Sequence, residues 1–380
     1  MSDRKAEQAL LISAEANYLK LSDLERVVLA GLGDGSYGVS GASIRIDLSE
    51  SHFYDLGAAL WLIILLHRLK RQHNELQLVL PDPETGSAAR NHWSFLFRWR
   101  FFETLAKCVG DPLTLLPTAQ HKYLLTKDSG LREKYASAPG HTTLEGEHTF
   151  KALQSLLEIT PLGLLPDPED MSDQVGLFLR NCADRLVASS LAQYCDWPSE
   201  TAREFADTVV SEGVRNAALH HGEGSFVLVS MRQDQKKLTL AIADNGQGIP
   251  NALRSHVRRL KPKTDAQLIE YFAGEEFIRE SYSDAAVIAF IVQKGGVSSS
   301  PGRAGRGLHY LKRHVTSRGG ELIIRSGEAR VEFTPNERVT YSEHLPLSPG
   351  TLLRVRLPVA NSKNAKAPDP SPDPPKSGRS

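Results

Sequence analysis

The chain has 380 residues and 41% hydrophobic content, enough for two separate cores. Forty-five basic residues balance forty-five acidic ones, so no overall charge draws it to nucleic acid or to an anionic membrane surface. Three cysteines, Cys108, Cys182 and Cys195, are odd in number and form no CxxC pair, which points to a reduced, cytoplasmic compartment.

The opening MSDRKAEQALL lacks the long apolar core and small-residue cleavage site of a signal peptide. Residues 1–30 read as a helical segment, with Leu10, Leu11, Leu19, Leu21 and Leu24 available to pack. The glycine-rich piece 31–41 reads as a loop. A strand over Ala42–Leu48, a helix over Leu56–Gln72 and a strand over Leu76–Leu80 make a βαβ unit, and hence a small parallel sheet. The apolar run Leu56–Leu66 is too short to span a bilayer and reads as a buried helix. Residues 118–170 are rich in turn formers and read as a helical hinge and linker holding the domain boundary. A helix is expected over Asp173–Gln193. The tail 361–380 is rich in proline and nearly free of apolar side chains, so it cannot bury enough surface to order itself.

Chemistry concentrates in Glu204–Pro250. The first part predicts a helix with Phe205, Val209, Gly213 and Ala217 along one stripe. Glu212, Asn216 and His220 follow one another along a neighbouring stripe. Two strands, Ser225–Arg232 and Lys237–Ala243, come next. The second runs into Asp244-Asn245-Gly246-Gln247-Gly248-Ile249-Pro250. A helix carrying acid and amide, followed by a strand that delivers an acid into a glycine loop, suits a nucleotide pocket. Strands over Glu321–Arg325, Ala329–Phe333 and Thr351–Leu357 complete an α/β sandwich.

These residues resemble the GHKL ATPases, the family of gyrase-type topoisomerases, heat-shock chaperones, histidine kinases and mismatch-repair ATPases. Glu212-x-x-x-Asn216-Ala217 resembles the family's N box and Asp244-x-Gly246-x-Gly248-Ile249 its G1 box. Gly305-Arg306-Gly307-Leu308 resembles the G2 box, and Gly350-Thr351 the closing G3 segment. The resemblance spans 171–360 and implies a Bergerat-type two-layer α/β sandwich that binds ATP with Mg²⁺. It implies that Asp244 accepts from the adenine amino group, assisted through water by Thr351, and that Asn216 offers its amide oxygen to the metal. Glu212 would orient or deprotonate a nucleophile near the γ-phosphate. Gly246, Gly248, Gly305 and Gly307 let backbone approach the nucleotide, with Arg303 or Arg306 beside the phosphates. Asn251–Ala304 would form the lid over the nucleotide, with helices around Asp265–Phe272 and Asp284–Gln293.

A second resemblance, to STAS-like domains, lies in IDLSESHFYDLGAALWLIILLHRLKRQHNELQLVLP, with FLFRWRFFETLAK as a closing segment. Many STAS proteins are phosphorylated on a serine at this helix start; here Asp55-Leu56-Gly57-Ala58 stands instead. The domain at 31–117 is therefore expected to dock, dimerise or regulate. Three functions follow as expectations: an ATP-hydrolysing switch in bacterial-type signalling, a serine or histidine protein kinase, or an ATP-binding adaptor. A protein partner or a homodimer through the N-terminal domain or the lid is expected, with no nucleic acid and no membrane.

Overall fold

The computed structural model describes residues 10–32, 40–125, 154–163, 187–219, 226–233, 236–259, 282–295, 307–348 and 350–360. The N-terminal unit holds a three-stranded parallel sheet ordered β1 (Leu10–Ser13), β3 (Ser43–Asp47), β5 (Glu75–Val79). A two-residue pair joins β2 (Tyr18–Leu19) to β4 (Phe53–Tyr54). Helix α1 is Leu21–Leu32 and α2 is Leu56–Arg71, followed by α3 (Ser87–Arg98), α4 (Phe101–Cys108), α5 (Pro112–Leu115) and α6 (Thr118–Leu125).

The β3–α2–β5 unit forms as expected. Residues 10–13 do not continue a helix, however. The piece LLIS is pulled into the sheet by pairing with β3, burying the β-branched Ile12 and turning Leu11 outward. Helix α2 starts at Asp55, whose carboxylate accepts from the Ala58 amide at 2.6 Å.

The C-terminal unit is built on a seven-stranded antiparallel sheet. Its members are β6 (Gln154–Gly163), β7 (Phe226–Gln233), β8 (Lys237–Asp244), β9 (Glu321–Ser326), β10 (Ala329–Phe333), β11 (Val339–Ser342) and β12 (Thr351–Pro358). They run in the order β11-β10-β9-β12-β8-β7-β6. Strand β6 comes from the stretch expected as a linker, so the sheet begins before residue 171. The helices are α7 (Ala188–Cys195), α8 (Ser199–Leu219), α9 (Ile249–Arg259), α10 (Asp284–Lys294) and α11 (Gly307–Thr316). The predicted helices over Asp173–Gln193 and Asp265–Phe272 lie mostly or wholly outside the described residues, as do His220, Arg303, Gly305, Arg306 and the tail.

Side chains alternate across the sheet with the period of two that a pleated strand imposes. Val227, Val229 and Met231, with Leu240, Ile242, Ile324 and Leu353, face α8, α10 and α11. Phe205 and Val209 of α8 join that core on the predicted stripe. The opposite set, Phe226, Leu228, Ala241, Ala243 and Leu352, belongs to the core of the N-terminal unit. Helix α2 packs there against β7, β8 and β12 while also touching β5 and α4. It lies between two sheets, which is why nearly every side chain from Leu56 to Leu66 is apolar and buried.

Polar side chains pin the contact. Arg354 of β12 donates to Asp55 at 2.9 Å, and Arg232 of β7 donates to the Tyr54 carbonyl at 2.8 Å while stacking over Phe95 and Trp99. Trp99 Nε1 donates to the Ser230 hydroxyl at 2.9 Å. Glu25 of α1 is buried between Arg325 and Arg330, and Arg325 also donates to the carbonyls of Gly327, Ala329 and Pro346. All three nitrogens of that guanidinium have acceptors, which lets a charge sit in the interior.

Candidate functional site

Strand β8 ends at Asp244 and the chain turns at once into α9 rather than returning as a hairpin. The Asp244 Oδ1 accepts from the Gly246 amide at 2.8 Å and from the Thr351 amide at 3.4 Å. Both bonds fall on one oxygen. Burial pushes the carboxyl up to about 6, against the pull of those two amides. Gly248 adopts φ +80°, a conformation glycine takes without strain, and a Cβ there would come 2.8 Å from the Ser326 hydroxyl. A Cβ on Gly350 would collide with the backbone of Asp244 and lie 3.0 Å from Asn245 Cα. The two glycines let three backbone segments meet.

Ser326, at the end of β9, is the knot among them. Its hydroxyl accepts from the Ile249 amide at 2.8 Å, lies 3.1 Å from the Thr351 hydroxyl and 3.4 Å from the Gly350 carbonyl. Sequence reasoning missed this residue, since its partners lie 77 and 25 positions away.

Helix α8 approaches β8 at Gly213. A Cβ there would overlap the Ile242 Cδ1, so any larger residue would have to displace that side-chain tip. Glu212 precedes that contact on α8, and Asp244 lies two residues after Ile242 on β8. At the other side, Gly307 opens α11 against α8. A Cβ on Gly307 would overlap Glu212 Oε2, fall 3.2 Å from its Cδ and lie 3.8 Å from Asn216 Nδ2. Asn216 Nδ2 is buried with no partner among the described residues, a donor beside a carboxylate. Ile249 and Leu308 both pack on a small apolar cluster of Leu253, Val287 and Ile291, which draws the starts of α9 and α11 together.

The neighbour of Asp244 faces the other way. Asn245 Oδ1 accepts from the Phe226 amide at 2.8 Å, which fixes the amide and turns its NH₂ to His67 Nδ1 of α2 at 3.1 Å. Burial, with Arg71 nearby, pulls His67 down to about 4, so it is a neutral acceptor there. Asp284 ties the turn below: it accepts from Arg254 at 2.5 Å and from the Glu328 amide at 2.8 Å.

Helices α8, α10 and α11 lie on one face of the antiparallel sheet, which makes this unit a two-layer α/β sandwich. Residues 201–361 match the family described as Histidine kinase-, DNA gyrase B-, and HSP90-like ATPase, so this part of the chain is a GHKL-type ATP-binding domain. No curated protein matches the chain. Among the described residues, no helix is long and apolar enough to cross a membrane.

Proposed function

We propose that the chain is an ATP-hydrolysing conformational switch whose nucleotide state is passed to the N-terminal unit. The observation that carries the reading is the packing of Glu212 and Asn216 together against the glycine that opens α11. A helix N-terminus favours phosphate oxygens, and Glu212 then stands where a water near the γ-phosphate needs a base. Hydrolysis would transfer a water proton to Glu212 as the water oxygen bonds to the γ-phosphorus and the bond to the β–γ bridging oxygen breaks, leaving ADP and phosphate. Asp244, with Oδ1 held by two amides, turns its other oxygen to the adenine amino group.

Magnesium fits this site. Oxygen ligands suit the ion, and rotating the Asn216 amide, whose Nδ2 has no partner among the described residues, by half a turn presents its Oδ1 in place of Nδ2. When bound with ATP, the ion would neutralise charge on the phosphates. The N-terminal unit, whose sequence resembles STAS-like domains, is the regulatory module in this reading. Its α2 meets the sheet through Asn245, the residue after Asp244.

The test is phosphate release from the full chain with magnesium-ATP, compared with Glu212→Ala. Release that falls about a hundredfold or more in the variant, with ADP affinity kept, supports the switch. Binding without release in either protein makes it an adaptor, and transfer of label from ATP to a protein serine makes it a kinase.

A further inference from the structure

Each of the three backbone segments that meet at Ser326 is held from behind by the N-terminal unit, within two positions of the meeting point. Asn245, next to Asp244, meets His67 of α2, and Arg325, next to Ser326, meets Glu25 of α1. Ser348, two residues before Gly350, accepts from Trp61 Nε1 of α2 at 3.3 Å, and its amide donates to the Gly327 carbonyl at 2.7 Å. Trp61, Ser348, Glu25 and Arg325 are buried and belong to the core. His67 is only partly buried, so its bond can be removed without emptying the interior.

The direction of that bond is fixed by its neighbours. The Phe226 amide can only donate, so the Asn245 atom facing it at 2.8 Å is the oxygen, and the NH₂ faces His67 at 3.1 Å. An NH₂ can only donate in turn, so His67 Nδ1 is bare and the ring proton sits on Nε2. The Asn245 backbone N–H also donates to the Phe226 carbonyl at 3.4 Å, and the His67 ring stands edge-on to Phe226 with centroids 5.0 Å apart. Asn245 is thus clamped between β7 and α2. The peptide that follows it carries the Gly246 N–H that the Asp244 carboxylate accepts at 2.8 Å. We propose that His67 is a positioning residue for the nucleotide, acting from the N-terminal unit through Asn245 on the turn that aims the Asp244 carboxylate. This role rests on the nucleotide reading above and names the side chain by which α2 reaches the base end of the site. Helix α8, with Glu212 and Asn216, packs on the opposite face of the sheet, so the reacting end is not what His67 sets.

Calorimetric titration of the full chain with magnesium-ADP tests it, beside phosphate release measured against magnesium-ATP concentration. His67→Leu removes the acceptor and keeps an apolar contact with Phe226. Its ADP affinity should fall about three- to tenfold and its KM rise in step, with phosphate release at saturation unchanged. His67→Asn sets an oxygen where Nδ1 stood and should restore affinity to within about twofold of wild type. The double variant of His67→Leu and Asn245→Ala should bind no more weakly than Asn245→Ala alone. Wild-type affinity in a folded His67→Leu overturns the proposal, as does an equal loss in His67→Asn, which would make the ring a packing element only. Additive losses in the double variant, or a fall in release at saturation with affinity kept, overturn it as well. Wild type that binds no ADP overturns the nucleotide reading, and this role with it, a result distinct from binding that His67 does not affect.

Discussion

Replacing Gly307 with alanine adds one methyl group where the structure has no room for it beside Glu212. The new Cβ would overlap Oε2 and stand 3.2 Å from Cδ, while the nearest atom of Asn216 stays at 3.8 Å. The obstacle is the tip of a flexible side chain, so the fold accommodates the methyl by moving the carboxylate roughly 1 Å, a displacement that can lower turnover about a hundredfold. Stability should hold, because the methyl meets the far end of a flexible side chain and no backbone atom. Phosphate release at saturating magnesium-ATP, with thermal unfolding as control, measures both sides. Unchanged turnover in a well-folded Gly307→Ala would refute the assignment of Glu212 to the reacting end of the nucleotide.

Nucleotide affinity should depend on pH through Asp244, whose carboxylate must be ionised to accept from an amino group. With its folded value at about 6, affinity should drop about tenfold for each unit below that, and an Asp244→Asn variant should bind weakly without that slope. In the nucleotide-free protein the same shift acts oppositely: the stability it contributes is full below the ordinary 3.8 and lost as pH rises through about 6. Burial holds His67 at about 4 and His92 at about 3, both under the ordinary 6.5. Their contribution is therefore complete above about 6.5 and lost as pH falls toward 4, and denaturant midpoints should show a shallower acid slope in His67→Gln. Glu25→Leu leaves Arg325 buried without its counter-ion, at a cost of roughly 3–5 kcal/mol in chemical denaturation; a loss below about 1 kcal/mol would contradict that account.

Much of this architecture was legible because it is local. The stripe Phe205, Val209, Gly213 repeats within one helix, and the strands over 226–233 and 237–244 are bounded by turn residues on either side. The strand LLIS at 10–13 was not, since four residues carry no period and the decision comes from β3, more than thirty positions on. Strand β6 was hidden for the same reason, its partner β7 lying far ahead in the chain. In the site, Glu212, Asn216, Asp244 and Thr351 were visible as spaced motifs. Ser326, His67 and the outward role of Asn245 were not, because each acts through contacts between distant segments. The all-apolar run of α2 announced that it would be covered but gave no hint that a second sheet would cover it.

That double coverage has a practical consequence. Cutting the chain before the ATP-binding region would strip α2 from the sheet and bare Phe226, Leu228, Ala241, Ala243 and Leu352 to water, with Arg325 and Arg354 deprived of their acidic mates. Such a fragment would precipitate or self-associate through that denuded wall, and a failure of the fragment to turn over ATP would say nothing about the intact molecule.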